Sequence, residues 1–518
     1  MTVGRLARAA AIVALFGLLS RLLGFAREVV LAAAYGTSGA TDAFVNSLLI
    51  VNTVAAVLLY TLVTLIIPVF QRERADNGSD SAWRLVSALA VWTGLALVVL
   101  ASLAAIFPEV PAAVFGLDPA RAEDTAQLIR IMSPALALQG FSAIFTAMLQ
   151  IHGRFAGPAA VGVAFNFGII LGVLIGKDSI GIEAAGWGVA IGATLQVLLQ
   201  LPQFWRLLRE ADARPVLTHP GLAGVGLLAL PVLGASVLQQ VNNFTDKIFA
   251  SSLEAGRVAA LSFANALGQA PRAALLLPLL TPLFPLIAQL MSEHRETEAL
   301  TAFRRVAGLL GLVAFPMSLL LAIWADEVAQ LAFQRQACGA DCVAQIAPPL
   351  VWYALGLWPA FLSLLLNRTL SAANMQRDIL WTTIVTVVLT IALDVALLGP
   401  MEQAGLALAA TLGVFANAAM LLARMRRRFP ALDLRGLAAR QVRLLGAAAA
   451  GAAAALLLDL ALPTADLASL EVAPLLVVKA AIALLVVGLA ARLLAAPELA
   501  EGAGAVRSLF GGRRRRRG

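Results

Sequence analysis

The sequence has little charge and few of the residues on which most enzymes rely. Charged residues make up 13% of its 518 positions, and it contains only 3 histidines, 3 tyrosines and 2 cysteines. A soluble protein carries about 25% charged residues, so three or four soluble cores would here lack the polar surface to cover them. The low charge therefore excludes a soluble protein. The dispersed histidines indicate no metal cluster, and the absence of a Gly-x-x-x-x-Gly-Lys-Ser/Thr phosphate loop argues against an ATPase.

Apolar residues are abundant: they make up 60% of the chain, and the mean hydropathy is +0.87. Repeated apolar runs of about 20 residues, separated by short polar stretches, are typical of a polytopic α-helical membrane protein. We therefore predict an all-α fold with about fourteen transmembrane helices. These lie near 9–31, 43–70, 83–107, 127–150, 157–176, 184–205, 222–250, 258–291, 303–325, 346–367, 379–399, 403–423, 440–461 and 472–495.

The net charge of +8 is almost entirely arginine, since the chain has only three lysines. Alternate connections between the predicted spans are rich in arginine, such as the loop with Arg72 and Arg74 and the loop after Arg424, whereas the others carry Glu109, Asp326 and similar acids. This positive-inside pattern predicts a multi-pass protein of the bacterial cytoplasmic membrane with both termini in the cytoplasm. Nucleic acid is not needed to explain the charge. The terminal run Arg513–Arg517 favours contact with anionic lipids.

Weak internal matches share one sequence offset. Phe25 and Phe44 recur as Phe244 and Phe263, each 219 residues later, and Glu183 recurs as Glu402 at the same offset. Six predicted spans separate the copies, so both copies have the same orientation. We therefore predict two parallel six-helix lobes, an arrangement used by transporters that expose a site alternately on the two sides. The predicted segments are an N-lobe at 1–215, a C-lobe at 216–430, two further helices at 431–500 and a basic cytoplasmic tail at 501–518.

Ionisable residues inside apolar spans are costly and are candidates for function. The strongest is Arg21, which lies between apolar residues and whose guanidinium would bind a phosphate or carboxylate. Arg27 follows on the same span, Asp42 opens the second span, and Arg272 lies in the eighth. Asp42 could balance the arginines, cap a helix or respond to ions. For Glu28, Asp246 and Lys247, both a functional role and snorkelling from a helix end fit the sequence. Asp394 and Asp459 are predicted to be interfacial.

The two cysteines, Cys338 and Cys342, are predicted to lie in one outside loop. A small structural disulfide and two free thiols both fit, because spacing alone does not establish disulfide geometry. A zinc site is disfavoured, since no third cysteine or nearby histidine accompanies them.

Several runs together resemble the MurJ/MviN family of lipid II flippases. They include SRLLGFARE at Ser20–Glu28, TDAF at Thr41–Phe44 and LQIHGRFAGP at Leu149–Pro158, and the resemblance covers most of the first 425 residues. It implies the two-lobed fold of the multidrug/oligosaccharidyl-lipid/polysaccharide exporter superfamily, with a lipid-tail groove at the two additional helices. It also implies export of undecaprenyl-pyrophosphate-linked peptidoglycan precursor, with Arg21, Arg27 and Asp42 in the cavity. No cofactor is implied, although a counter-ion or the membrane potential could couple to transport.

The chain departs from the family pattern where other basic residues are usual. Ala55, Ala56 and Ala266 stand at those positions, and Arg272 would replace the charge only at a different depth. A divergent lipid II flippase is favoured over a flippase for another polyprenyl-linked glycan. A non-transporting scaffold that binds cell-wall synthesis proteins is a third hypothesis. Drug export would need an acidic, aromatic cavity, and a glycosyltransferase would need a positioned acid or base that the sequence does not offer.

Overall fold

The computed structural model describes residues 3–210, 216–272, 283–463 and 469–494. This part of the chain is helical almost throughout, and its only β-pairing is an isolated bridge between Arg335 and Cys338. The all-α prediction is confirmed. The helices are α1 (Val3–Tyr35), α2 (Gly39–Ile106), α3 (Glu109–Ala112), α4 (Pro119–Ile151), α5 (Ala156–Ile180), α6 (Glu183–Glu210), α7 (Leu222–Ser251), α8 (Arg257–Pro271), α9 (Leu283–Ser292), α10 (Glu296–Ile323), α11 (Ala325–Phe333), α12 (Ala340–Leu355), α13 (Leu357–Ala372), α14 (Gln376–Arg428), α15 (Leu434–Ala461) and α16 (Ser469–Leu494).

Eight of the described helices are long and apolar enough to cross a membrane, or nine if α12 and α13, bent by 43°, form one broken span. Two of the eight, α2 and α14, contain a residue with non-helical backbone angles: Gly78 (φ 89°) and Glu402 (φ 49°). At about 1.5 Å per residue, each helix is long enough for two crossings of a hydrocarbon core of about 30 Å. Both breaks fall between two predicted spans. The total of fourteen is consistent with this division and stays a prediction.

Side-chain hydrogen bonds span the break in α2 at Gly78. Ser81 and Asn77 donate to the Glu73 carboxylate at 2.6 and 2.8 Å, and the Ser81 hydroxyl lies 3.1 Å from Nε2 of His219. These hydrogen bonds, that from Ser81 most of all, hold the pKa of Glu73 below its usual value. The contacts thus connect the region between two predicted spans to the segment that leads into α7.

Contacts divide the chain into two compact units. The first is Met1–Ser262 with Arg335–Cys338, and the second is Phe263–Gln334 with Gly339–Gly518. The repeat predicted a lobe boundary near 215, whereas the contacts keep α7 with the first unit because its polar side chains bond to α2. Asn46 donates to Ser251 at 3.0 Å, and the Thr61 and Ser236 hydroxyls lie 3.3 Å apart. The repeat-based lobes stay a prediction, and the basic tail lies outside the described residues.

Close helix packing in the first unit rests on glycine. A Cβ on Gly168 of α5 would lie 2.3 Å from the Cα of Gly192 of α6, so only glycine allows this approach. Gly162, nearly two turns earlier, faces α1, where a Cβ would come within 2.2 Å of the Ser20 hydroxyl. These contacts place α1 directly against α5, and they position the first of the candidate residues.

The second unit is built around α10, α13 and α14. Phe303, Leu365 and Met425 are fully buried in its core. Helix α15 packs against α10 at Gly308, where a Cβ would lie 2.7 Å from the Arg440 guanidinium carbon. Helix α16 packs in turn on α15. The two additional C-terminal helices therefore belong to this unit.

Candidate substrate-binding site

Arg27 is held against α5 by an amide that the sequence analysis missed. Its guanidinium donates to Oδ1 of Asn166 at 3.1 Å and pairs with the neighbouring Glu28. The Asn166 amide nitrogen donates to the Gly162 carbonyl at 2.8 Å and to the Ser20 carbonyl at 3.3 Å. Asn166 is buried, so the Arg27 head group is fixed rather than free to snorkel. An amide within an apolar span was the available signal for this residue.

The Arg27 guanidinium keeps one unsatisfied donor. Its Nε is buried and has no hydrogen-bond partner among the described residues. A buried donor without a partner costs about 1–3 kcal/mol, so such groups in native proteins usually serve a ligand or an ordered water. The side chain as a whole is 17% exposed. Arg27 therefore combines a fixed position with remaining capacity to donate.

Arg21 differs from Arg27 in its exposure. It lies on α1, its side chain is exposed, and no hydrogen bond or ion pair is recorded for it within the described part of the chain. Leu18, Leu19 and Leu22 around it are exposed as well. Arg21 and Arg27 are six residues apart, about 9 Å along the helix axis and about 120° apart around it. The structure thus presents one open and one anchored guanidinium on the same helix.

Asp42 caps a helix, one of the three roles that the sequence left open. Its two carboxylate oxygens accept backbone N–H bonds from Gly256 at 2.6 Å and from Ala259 at 2.7 Å, at the beginning of α8. Gly256 precedes the helix with φ 92° and offers no capping oxygen of its own, so α2 supplies one. A carboxylate at this position satisfies two orphan donors and interacts favourably with the helix dipole. Asp42 is 3% exposed, so both of its oxygens serve structure.

Lys247, on α7, also forms hydrogen bonds with the first part of α8. Its ammonium donates to the Ser262 hydroxyl and to the Val258 carbonyl at 3.4 Å. The neighbouring Asp246 has a buried oxygen, Oδ1, without a hydrogen-bond partner among the described residues. Lys247 therefore acts on the fold of the first unit, as the structural alternative predicted.

Arg272 belongs to the second unit. It directly follows α8, and its guanidinium carbon lies 5.7 Å from the centre of the Phe361 ring, a cation–π contact. Arg272 is partly buried, and its charge has no carboxylate partner among the described residues. Ala266, where the family usually has a basic residue, lies six residues earlier on α8. Arg272 therefore supplies a cation, but nearly two helical turns away.

The second unit contains a buried ion pair that the sequence analysis did not anticipate. The fully buried Lys479 of α16 donates to Asp459 of α15 at 2.8 Å. The indole N–H of Trp324 lies 3.0 Å from each Asp459 oxygen. This pairing gives Asp459, whose side chain is 27% exposed, a structural role, and its interfacial position stays a prediction. The same holds for Asp394, which is fully buried within the unit.

An apolar cavity of about 730 Å³ lies beside α15. Aromatic side chains of α10, α12, α13 and α14 line it, and α15 closes one side with Leu437, Ala438 and Val442. Gln441 of α15 connects two other helices at this cavity. Its amide oxygen accepts from the Trp358 indole of α13 at 3.2 Å, and its amide nitrogen donates to the Ala307 carbonyl of α10 at 3.1 Å. An aliphatic chain is the natural occupant of such a lining.

Both cysteines are disulfide-bonded in the structure. Cys338 is 1% exposed and Cys342 is 4% exposed. The segment before Cys338 lies against the end of α1, where the Ala337 N–H donates to the Ala33 carbonyl at 3.0 Å. Gly36 allows this approach, because a Cβ there would lie 2.7 Å from the Ala337 carbonyl oxygen.

Comparison with known proteins decides the family. The family model described as lipid II flippase MurJ matches residues 31–472. This chain belongs to that family. Its relatives include a probable lipid II flippase MurJ of Rhizobium meliloti, 28% identical over 425 residues and covering 78% of each chain. A lipid II flippase MurJ of Burkholderia cenocepacia is 27% identical over 431 residues, covering 80% of this chain and 82% of the relative.

Solved structures agree with this family at the level of the fold. A lipid II flippase MurJ in an inward closed conformation matches with a TM-score of 0.77 and 18% identity, covering 92% of this chain and 98% of that one. A multidrug resistance MATE family transporter of the MOP superfamily, inward-facing, matches with a TM-score of 0.65 and 14% identity, covering 80% and 95%. The predicted MurJ family is confirmed. The chain is accordingly a membrane protein of a transporter family.

Proposed function

We propose that this protein carries lipid II across the bacterial cytoplasmic membrane by alternating access, without covalent chemistry. The observation that carries the proposal is Arg21, an exposed guanidinium on an apolar helix that pairs with no other side chain in the part of the chain that the structure describes. A cation at that depth is expensive in hydrocarbon and is retained where it faces water or an anionic ligand. The pyrophosphate of lipid II is such a ligand, and a guanidinium binds it with two parallel hydrogen bonds.

Arg27 provides the second contact in this proposal. Asn166 fixes its head group, and Glu28 takes part of its charge, which leaves Nε as the donor without a partner. A pre-positioned donor loses little entropy on binding. Arg21 would thus attract the pyrophosphate, and Arg27 would orient it.

Asp42 is assigned a supporting role rather than a contact with substrate. Both of its oxygens are bound to backbone N–H groups of α8, so it has little capacity left for an ion or a ligand. It keeps the beginning of α8 fixed to α2. Loss of Asp42 would therefore impair transport through the fold of the first unit.

The polyprenyl tail would use the apolar cavity beside α15. Its aromatic lining and its volume of about 730 Å³ suit a segment of an aliphatic chain. The membrane potential would supply energy, because it acts on the charges of Arg21 and Arg27 at about 2.3 kcal/mol per charge per 100 mV. The cytoplasmic location of both termini follows from the arginine-rich loops and belongs to this proposal.

Replacement of an essential lipid II flippase tests the proposal in cells. A strain with a conditional deletion should grow when it expresses this protein, and should stop growing when it expresses Arg21→Ala or Arg27→Ala. Arg72→Ala changes an exposed arginine of α2 outside the predicted spans, so it is the matched control and should restore growth. Membrane abundance is measured for each variant. Growth that persists with both Arg21→Ala and Arg27→Ala would contradict the pyrophosphate model.

A flippase for another polyprenyl-linked glycan is the second candidate. It is favoured by Ala55, Ala56 and Ala266, which leave fewer cations than the family usually has. The discriminating result is failure to restore growth together with transport of a different polyprenyl-pyrophosphate glycan by the purified protein. Abundant protein that restores growth in neither wild-type nor mutant form and moves no lipid would instead indicate a scaffold.

A further inference from the structure

A second apolar cavity lies in the first unit, away from α1 and its arginines. It has a volume of about 960 Å³ and is bounded by α2, α4 and α6. Its lining is apolar and aromatic, with Ser87 and Arg209 as the polar residues. The cavity is separate from the residues proposed to bind the pyrophosphate and from the cavity beside α15.

Small side chains on one face of α2 leave the space for the cavity. Ser87, Ala90 and Gly94 follow at spacings of three and four residues, so they lie on the same side of the helix. A Cβ on Gly94 would lie 2.8 Å from the Phe141 ring on α4. On the far side, Phe145 of α4 and Phe204 of α6 stack with ring centres 4.1 Å apart. The cavity is therefore a groove between rigid helices, not a gap left by a mobile loop.

The groove is long enough for an alkyl chain. Trp83 and Val98 both line it and are fifteen residues apart, about 22 Å along α2. The length exceeds half of a hydrocarbon core of about 30 Å, so one chain of a lipid in a single leaflet fits within it.

One end of the groove carries a cation. The Arg209 guanidinium lies 5.6 Å from the centre of the Trp205 ring, and both side chains line the groove. Arg209 is exposed, and no carboxylate is recorded within ion-pair distance of it in the described part of the chain. No acidic residue occurs among the lining residues. An apolar groove that ends at an unpaired arginine is complementary to a lipid chain with a phosphate head group.

We propose that this groove binds one acyl chain of an anionic phospholipid, whose phosphate pairs with Arg209. The site would lie on the lipid-facing side of α2, α4 and α6, and it is separate from the transported cargo. Its occupancy does not depend on the transport activity. Failure of this proposal would therefore leave the proposed function untouched.

Lipid retention by the full-length purified protein tests the site. Bound lipid is counted by native mass spectrometry after titration with phosphatidylglycerol or with phosphatidylcholine of the same chains. Wild-type protein should prefer phosphatidylglycerol. Arg209→Gln should weaken phosphatidylglycerol binding about ten-fold, to the level of phosphatidylcholine. Ala90→Phe fills the groove and should remove the binding of both lipids.

Matched controls separate this site from lipid that covers the whole membrane surface. Arg206→Gln removes an exposed arginine of α6 that does not line the groove, and Val99→Phe adds bulk to an exposed position of α2 outside it. Both should bind phosphatidylglycerol as the wild type does. Equal losses in Arg209→Gln and Arg206→Gln, or undiminished binding in a correctly folded Ala90→Phe, would overturn the proposal. A copurified polypeptide that Ala90→Phe removes while lipid stays bound would also overturn it.

Discussion

The two compact units hold their buried charges in different ways. In the first unit, Asp42 and Lys247 are bound by backbone groups and a hydroxyl, and Arg27 by an amide as well as by Glu28. In the second unit, the buried ammonium of Lys479 is neutralised by Asp459. Neutral dipoles fix a charge in place without cancelling it, whereas a close ion pair removes most of its field. Arg27 is already partly neutralised by Glu28, so within the described residues the open cation of the first unit is Arg21, whereas the second unit uses its pair to join helices.

The largest expected effect breaks the pair in the second unit. Asp459→Asn leaves the fully buried Lys479 without its carboxylate and should lower the stability by about 3–5 kcal/mol, because an uncompensated charge then remains buried. Adding Lys479→Met removes that charge, and the amide oxygen at position 459 still accepts from Trp324, so the double variant should recover most of the loss. Thermal unfolding of the purified protein in detergent measures both. A single-variant loss below about 1 kcal/mol would mean that the pair behaves like a surface salt bridge.

The cap in the first unit should come next. Asp42→Ala orphans two buried N–H groups of α8, at about 1–3 kcal/mol each. Asp118 provides the matched control, since it caps α4 through one N–H bond to Arg121 at 3.0 Å and is exposed. Asp118→Ala should lower the unfolding temperature less than Asp42→Ala does. If both variants unfold at the same temperature, the two carboxylates are equivalent, and the structural role given to Asp42 is wrong.

Asn166 tests whether a neutral anchor matters for transport. Asn166→Leu should leave folding intact and reduce lipid II transport about ten-fold, because Arg27 loses the group that positions it. Asn166→Asp should reduce transport further, since a carboxylate would neutralise the guanidinium. The measurement is the initial transport rate in proteoliposomes. Higher transport in Asn166→Asp than in Asn166→Leu would show that the charge of Arg27 is not needed.

The smallest effect is expected at Glu73, beside the break in α2 and outside the predicted spans. Its pKa is lowered in the folded state from 4.5, so its hydrogen bonds stabilise this segment above pH 4.5 and are lost as the pH falls through the lower, folded value. Amide hydrogen exchange in 73–81 should therefore accelerate a few-fold on acidification below pH 4.5, after correction for intrinsic rates. Glu73→Gln should abolish this pH dependence. Its persistence in Glu73→Gln would assign it to another group.

The sequence predicted those features that depend only on neighbouring residues along the chain. The apolar runs predicted the helical membrane fold, and Arg21 stood out because leucines surround it on the chain. Partners brought together by folding could not be read in this way. Asp42 meets Gly256 across 214 positions, and Lys479 meets Asp459 from a neighbouring helix. The position of a residue within a predicted span indicates its depth in the membrane. Which face of a helix contacts another helix depends on packing.

Asn166 illustrates the same limit at the candidate site. An amide in an apolar span is a polar signal, yet nothing in the chain indicates that it lies against Arg27, 139 positions away. The contact depends on Gly162, which brings α5 close to Ser20 of α1. The arginines could be predicted from the sequence, whereas the distinction between the anchored Arg27 and the open Arg21 required the structure.

Transport of lipid II by the purified protein tests the central claim most directly. The wild type and Arg21→Ala are reconstituted into proteoliposomes with labelled lipid II, and the arrival of label on the opposite leaflet is followed with and without a membrane potential. We predict transport by the wild type, faster with the potential, and loss of at least about 90% of the rate in Arg21→Ala, because a charge-assisted bond to pyrophosphate is removed. Equal rates for Arg21→Ala and the wild type would contradict the account.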